Sequence, residues 1–231
     1  MPPKWFPSPG GSGGTVSVPA GIQNFTSSST STITLSSAQA GDFIVAALVT
    51  NGTGLGGPTA LAASGGAQYA YQVAFGGGPP YLYLHTHQVS QQDVTGGKTF
   101  QFLSSLGSFG AYAALLLRHT YGATDGFSTI ATTTNNTAAA VHSFVTTSGS
   151  DVGIIVVGMQ AASNLVSTAP TGYTIGPNIG SDGSTHQGVA ILYNPNVGPA
   201  GTISPGNVTV AINNGTTATV AFGLRGFITN Y

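Results

Sequence analysis

The chain has 231 residues, of which only 4% are charged, and its four Lys and Arg and five Asp give a formal net charge of −1. Ordinary soluble domains carry roughly 25% charged residues, so the surface of this protein is unusually neutral. Four cations cannot form the basic footprint that phosphate binding requires, and no apolar run approaches the ~20 residues of a membrane helix. We therefore expect neither nucleic acid nor a membrane as a partner.

The first 14 residues, MPPKWFPSPGGSGG, are rich in Pro and Gly. Proline fixes φ and favours extended backbone, and Trp5 and Phe6 are the only large aromatic side chains here. We predict an extended arm over residues 1–14 that docks on another polypeptide, with Trp5 and Phe6 as the partner-binding residues. The alternative is an arm that folds back onto its own domain. The segment also lacks the apolar stretch of a secretory signal.

From residue 15 onward the pattern is that of β-strands. The segments TVSVPAG and STSTITLSS alternate with a period of two, and residues 43–49 form an unbroken apolar run of strand length. The segments AQYAYQVAF, YLYLHTHQV, TFQFL and GAYAALLLR follow, separated mostly by Gly-rich turns. Since no segment keeps a 3.6-residue period, we expect little or no helix.

A Thr- and Asn-rich segment, residues 120–140, links this half to a second one with the same scheme. VHSFVTT, GIIVVGM and VAILYN are predicted strands, and NVTVAI and TATVAFGLRGFI are predicted to pair as a closing hairpin. Short strands at roughly 8–12-residue spacing with Gly and Pro turns are typical of a sandwich or jelly roll.

Three pairs of segments indicate an internal duplication. Asp42 aligns with Asp151 at an offset of 109 residues, residues 81–89 align with 189–197 at 108, and Arg118 aligns with Arg225 at 107. Chance similarity between Gly- and Thr-rich strands would rarely keep one spacing so closely. We predict a first half over residues 15–122 and a second over 123–231, packed as one compact domain.

Residues that carry catalytic chemistry are few. All five acids lie in predicted turns or loops, where Asp commonly bonds its own backbone, and a paired-carboxylate glycosidase would need two of them to converge. A Ser–His–Asp triad is compatible with the composition, but the chain has no G-x-S-x-G elbow and no Walker-type loop. We predict no enzyme, no catalytic residue and no cofactor. The acids are Asp42, Asp93, Asp125, Asp151 and Asp182.

Short motifs carry a resemblance to a known class of protein. Residues 41–45 form a Gly-Asp-initiated apolar strand, residues 170–174 read Pro-Thr-Gly-Tyr-Thr, and each half ends in a predicted hairpin. Over residues 26–228 these features resemble β-sandwich appendage and decoration proteins of tailed-phage virions, although residues 58–60 replace the Pro-x-Gly-Tyr turn in the first half. The resemblance implies a jelly-roll-like sandwich, symmetric and often trimeric assembly, and no catalysis.

Two patterns leave alternatives open. Arg118 and Arg225 end equivalent apolar strands, where a cation either bonds loop carbonyls or contacts another subunit. His85 and His87 share one face of a strand, so a symmetric trimer could bring six imidazoles around one metal ion. The ordinary alternative for the two His is a polar strand end, and no metal site is predicted.

Together these observations predict an all-β protein, a jelly-roll-like antiparallel β-sandwich built from two duplicated halves with an extended N-terminal arm. The predicted function is that of a virion structural protein, a capsid decoration (cement) or head or tail appendage subunit. It would bind major capsid or tail proteins and form a homo-oligomer such as a trimer. The alternative is a carbohydrate-binding or receptor-binding adhesin, which needs an exposed aromatic platform. Candidates for that platform are Trp5, Tyr69, Tyr71, Tyr81 and Tyr83.

Overall fold

The computed structural model describes residues 16–26, 30–50, 69–75, 78–103, 110–129, 131–134, 137–147, 151–160, 165–180, 187–211 and 215–226. Nearly all regular structure in these ranges is β, as predicted, and the one helix among them is α1 (Gln91–Thr95). The strands are β1 (Ser17–Thr26), β2 (Thr30–Thr34), β3 (Phe43–Thr50), β4 (Tyr69–Phe75), β5 (Gly78–Gln88), β6 (Thr99–Leu103), β7 (Gly110–Arg118), β8 (Thr120–Phe127), β9 (Ala131–Thr134), β10 (Ala138–Ala139), β11 (Phe144–Thr146), β12 (Val152–Gln160), β13 (Leu165–Thr168), β14 (Thr174–Ile179), β15 (Gln187–Asn194), β16 (Gly201–Ile203), β17 (Val208–Ala211) and β18 (Thr216–Gly226).

Two large antiparallel sheets form the centre of the molecule. The first has the strand order β1-β7-β3-β5-β4. The second has the order β14-β15-β12-β18-β8, and β9 pairs with the opening residues of β18. A cluster of buried apolar residues from both sheets, such as Val45, Leu115, Ile154 and Val220, fills the space between them.

Smaller sheets cover the outer faces of the two large ones. The pair β2–β6 lies over the first large sheet, where Ile33 and Phe100 pack against residues such as Ile44 and Leu116. The sheets β10-β17-β13 and β11-β16 lie over the second, around a third apolar cluster that includes Phe144 and Leu192. The described part of the molecule is therefore a stack of four β layers with three apolar interiors.

The hydropathy pattern of each strand follows from its layer. Strands β3 and β7 are buried along almost their whole length, because each belongs to a large sheet that is covered on both faces. Strands β11 and β17 alternate buried and exposed residues, because their outer faces meet solvent. Unbroken apolar runs thus mark the inner sheets and alternating runs mark the covers.

The predicted closing hairpins are wrong. Strand β17 pairs with β10 and β13, whereas β18 pairs with β12, β8 and β9. Likewise β6 pairs with β2, and β7 pairs with β1 and β3. In each case an alternating strand belongs to a cover and the following apolar strand to an inner sheet, so the connection crosses between layers.

The chain passes from the first large sheet to the second through a single residue. Strand β7 ends at Arg118, β8 begins at Thr120, and His119 between them has a φ of 63°. Positive φ is uncommon outside glycine, although His adopts it more often than most residues. Residues 120–140, predicted as a linker, contain β8, β9 and β10 and contribute two strands to the second large sheet.

Candidate functional site

The polar residues that stand out on β5 are buried. Tyr83, His85 and His87 alternate along the strand and have exposed fractions of 2%, 0% and 4%. Tyr83 packs in the cluster beneath β2–β6, whereas the alternate residues Leu82 and Leu84 face the core between the large sheets. The two imidazoles share a face, as predicted, but that face points into the protein.

At the His87 end of this row of side chains lies the buried carboxylate of Asp93. Asp93, in the first turn of α1, accepts hydrogen bonds at Oδ2 from the backbone N–H of Ser90 (2.7 Å), the hydroxyl of Ser90 (2.8 Å) and Nε2 of His87 (2.9 Å). The N–H of Asp93 in turn donates to Ser90 Oγ at 3.1 Å, which completes a capping box. The His87 ring also meets Phe100 edge-on, with centroids 5.7 Å apart.

Burial and hydrogen bonding set the charge states in this layer. Burial alone raises the pKa of the Asp93 carboxyl, but hydrogen bonds from the Ser90 backbone, His87 and the Ser90 hydroxyl outweigh it and hold that pKa below its ordinary value. Burial lowers the pKa of His85 to about 4. Burial, with a smaller effect of Tyr81, raises the pKa of Tyr83. At neutral pH the layer therefore holds a charged Asp93 and a neutral His85.

The group does not have the geometry of a catalytic triad. In a triad the Ser hydroxyl bonds the His and the His bonds the carboxylate. Here both Ser90 and His87 bond the same oxygen of Asp93, and the His and Asp are buried. The role of Ser90 and Asp93 is to start a helix, which their S-x-x-D spacing signals and the sequence analysis missed.

The alternative of a metal shared between subunits fails on burial. A site on a symmetry axis requires His85 and His87 at the protein surface, but both rings lie inside one chain. Within the described ranges, moreover, no three His, Asp or other ligating side chains are grouped so that they could hold a metal ion.

In the first half, the charged residues at the ends of β7 and β3 form an ion pair. Arg118 donates from Nε to Asp42 Oδ1 and from Nη2 to Asp42 Oδ2, both at 2.9 Å, and Nη2 also donates to the Ser37 carbonyl at 2.9 Å. The hydrogen bonds from Asp42 and its charge raise the pKa of Arg118, against the opposing effect of burial. The prediction of a strand-end cation that bonds a loop carbonyl is confirmed, and Asp42 is an additional partner.

The aspartates at the starts of β3 and β12 have turn roles. Asp42 accepts the N–H of Gln39 at 2.9 Å, and Asp151 accepts the N–H of Thr147 at 2.8 Å. Both side chains are buried, so neither carboxylate faces an open cleft. Arg225, the counterpart of Arg118 in the alignment, has an exposed side chain.

Two of the five acids lie in regular structure rather than in turns. Asp93 is in helix α1 and Asp125 is in strand β8. For Asp93 the prediction was wrong because the capping box of Ser90 and Asp93 starts a helix there. For Asp125 it was wrong because β8 pairs with β18 through long-range contacts that local sequence does not reveal. Asp182 lies outside the described residues.

The predicted partner-binding residues Trp5 and Phe6, and the whole arm over residues 1–14, lie outside the described residues. Of the aromatic residues considered for a glycan platform, Tyr83 is buried and Tyr81 is half-buried against the cluster under β2–β6. Tyr83 therefore cannot form an exposed stacking surface.

Comparison with protein-family models, curated proteins and solved structures finds no match to this chain. Among the described residues no helix has the length and apolar character that spanning a membrane requires. The function must therefore be argued from the chain itself.

Proposed function

We propose that the protein is a non-enzymatic structural subunit of a tailed-phage virion, either a capsid decoration protein or a head or tail appendage, that binds neighbouring virion proteins through its N-terminal arm. The observation that carries the proposal is the near absence of charge, four cations and five anions in 231 residues. Charge keeps free proteins apart in solution. So neutral a chain is suited to permanent packing against other subunits.

The hydrogen bonds of the His and Asp side chains support this proposal. His87 and Asp93 are bonded to each other, Asp42 is bonded to Arg118, and Asp151 bonds a turn. Each of these groups has a structural partner and is buried or nearly so. They are therefore engaged in holding turns and strand ends.

We also propose that the two halves arose by duplication, each with a jelly-roll-like alternation of inner and cover strands. The supporting fact is the strand order. If β1, β7, β3, β5 and β4 are matched to β8, β18, β12, β15 and β14, the first large sheet reads in the same order as the second. The cover strand β6 likewise matches β17, since each lies directly before the inner strand β7 or β18.

Register supports the duplication at the level of single residues. Phe43 is opposite Leu117 in the first sheet, and Val152 is opposite Leu224 in the second, which corresponds to the predicted offsets of 109 and 107. For β5 and β15 the matching offset is 107 rather than 108, because Ile191 rather than its neighbour shares the inter-sheet core with Leu84. A shift of one residue would turn every side chain to the other face.

A difference in side-chain size between two matching positions is compensated by neighbouring side chains. Ile44 of β3 packs in the first cover layer, and Gly153 stands at the matching position of β12. A Cβ at Gly153 would meet the Tyr173 hydroxyl at 2.5 Å and also the Val197 side chain. Tyr173 and Val197 thus fill the space in the second half that the Ile44 side chain fills in the first.

The virion proposal is tested by mass spectrometry of purified tailed-phage particles encoded by the source genome. We expect the chain in stoichiometric amounts in wild-type particles. A variant lacking residues 2–14 should fold, with unchanged circular dichroism, but be absent from the particles, and Trp5→Ala/Phe6→Ala should be depleted. Ser8→Ala is the matched control and should be incorporated normally. Absence of the full-length chain from the particles would refute the function, whereas normal incorporation without the arm would refute only its docking role.

A further inference from the structure

We propose that the first half contains an acid-sensitive latch: protonation of His85, inside the layer between β2–β6 and the first large sheet, loosens this two-stranded cover while the covers of the second half stay closed. The inference goes beyond the proposed structural role. It rests on the burial of an ionisable group, His85, in one half and on an apolar residue at the matching position of the other.

His85 lies where a charge is hardest to accommodate. Its side chain is fully buried, and it is opposite Ala46 on β3 and Ala70 on β4. The cover above this face contributes Ile33 and Phe100, both fully buried. Placing a charge among apolar groups is costly unless a counter-charge or hydrogen bonds compensate it.

In the described part of the first half, both carboxylates are already engaged by other groups. The cover strands β2 and β6, TSTIT and TFQFL, contain no ionisable residue. Asp93 already accepts three hydrogen bonds from His87 and Ser90, and Asp42 is held by Arg118. The remaining ionisable residues on the packed elements are Tyr69 and Tyr71 on β4, Tyr81 and Tyr83 on β5, Tyr112 on β7, and Lys98 before β6.

The second half has no ionisable group at the matching position. Leu192 on β15 is opposite Ile155, as His85 is opposite Ala46 on the matching strand β3. Leu192 and Ala190 are buried in the third apolar cluster. Among the described residues, no buried imidazole lies beneath the covers β10-β17-β13 and β11-β16.

The sign of the pH effect follows from linkage. Burial lowers the pKa of His85 from 6.5 to about 4, so the open state takes up the proton more readily than the closed one. The full stability of the latch is present above about pH 6.5. It is lost progressively as the pH falls from 6.5 towards 4, and the loss levels off below pH 4 when the closed state also binds the proton.

Hydrogen exchange of the full chain, read by mass spectrometry at pH 7 and pH 5 and corrected for intrinsic exchange, tests the latch. The opening equilibrium of β2 and β6 should rise about 20-fold at pH 5, since each pKa unit corresponds to a tenfold change. The exchange of β10 and β17 should stay unchanged. Equal loosening of both sets of covers would overturn the proposal.

A substitution copied from the second half isolates the imidazole. His85→Leu should abolish the pH-dependent rise, and His85→Gln should do the same if the leucine variant fails to fold. The matched control is His142→Leu, since His142 is exposed in the second half and bonds Thr129; it should leave the 20-fold rise in place. A rise of the same size in His85→Leu or His85→Gln would refute the role of His85.

Discussion

The two large sheets share the same strand order, but the small sheets that cover them are held by different contacts in the two halves. The first half uses a two-stranded cover over a layer that contains His85, His87 and Asp93. The second half uses two small sheets over an apolar layer, and the Asn178 side chain bonds both the N–H and the carbonyl of Val166 on β13. Inner sheets covered on both faces are tightly specified, whereas covers with a solvent face can vary.

The largest expected effect comes from the core that the halves share. Phe222→Ala removes a fully buried ring from the cluster between the large sheets, and we expect it to lower the free energy of unfolding by about 3–5 kcal/mol. Urea unfolding followed by circular dichroism measures the change. Because both halves line this core, hydrogen exchange should report loss of protection in both. A loss confined to the second half would show that the two halves do not depend on one shared core. Val145→Ala, at an exposed position, is the control.

The next effect tests the proposed correspondence between Ile44 and Gly153. Gly153→Ala places a Cβ against Tyr173 and Val197, so we expect a loss of about 1–3 kcal/mol from overpacking. The double variant Gly153→Ala/Tyr173→Ala should lose less than the two single variants added together, because the alanine then occupies space that the ring has left. Strict additivity in urea unfolding would show that Tyr173 does not compensate for the glycine.

A third variant probes the ion pair at the start of β3. Asp42→Asn leaves Arg118 without its carboxylate, and we expect a loss of about 1–3 kcal/mol, since hydrogen bonds between charged groups are the stronger ones. Thermal unfolding at low and high salt measures it. The effect should shrink only slightly with salt because Asp42 is buried. Lys98→Gln, which removes an exposed hydrogen bond to the Ser36 carbonyl, serves as the control and should change stability by a few tenths of that amount.

The smallest effect concerns helix α1, which lies in the first half. Ser90→Ala removes the side chain that caps the helix and bonds Asp93, and we expect a cost of about 1 kcal/mol. It should also weaken the acid response of the first half, because Asp93 loses one of the hydrogen bonds that keep its pKa below the ordinary value of 3.8. A carboxyl with a depressed pKa loses its contribution to stability as the pH falls through its ordinary value towards its folded value. Between pH 3 and 5 the loss of stability should therefore be smaller in Ser90→Ala than in the parent chain, and an unchanged profile would contradict this.

The class of fold and the identity of the buried strands can be read from local sequence patterns. The apolar runs of β3, β7 and β12 predicted buried strands, and the structure covers both faces of each strand. Alternation with a period of two likewise predicted the half-exposed strands, and turn chemistry predicted that Asp42 and Asp151 bond nearby backbone. All these features depend on neighbours within a few residues along the chain.

Which strands pair and which way the polar residues face depend on contacts between distant parts of the chain. A strand such as β17 can pair with the next strand in the chain or lie in another layer, and its local sequence pattern is the same in both cases. In the structure β17 belongs to a covering sheet and β18 to an inner sheet. The side-chain period of two placed His85 and His87 on one face, but whether that face meets solvent or Phe100 depends on β6, which follows later in the chain. Partners distant in sequence set these choices, and no local propensity encodes them.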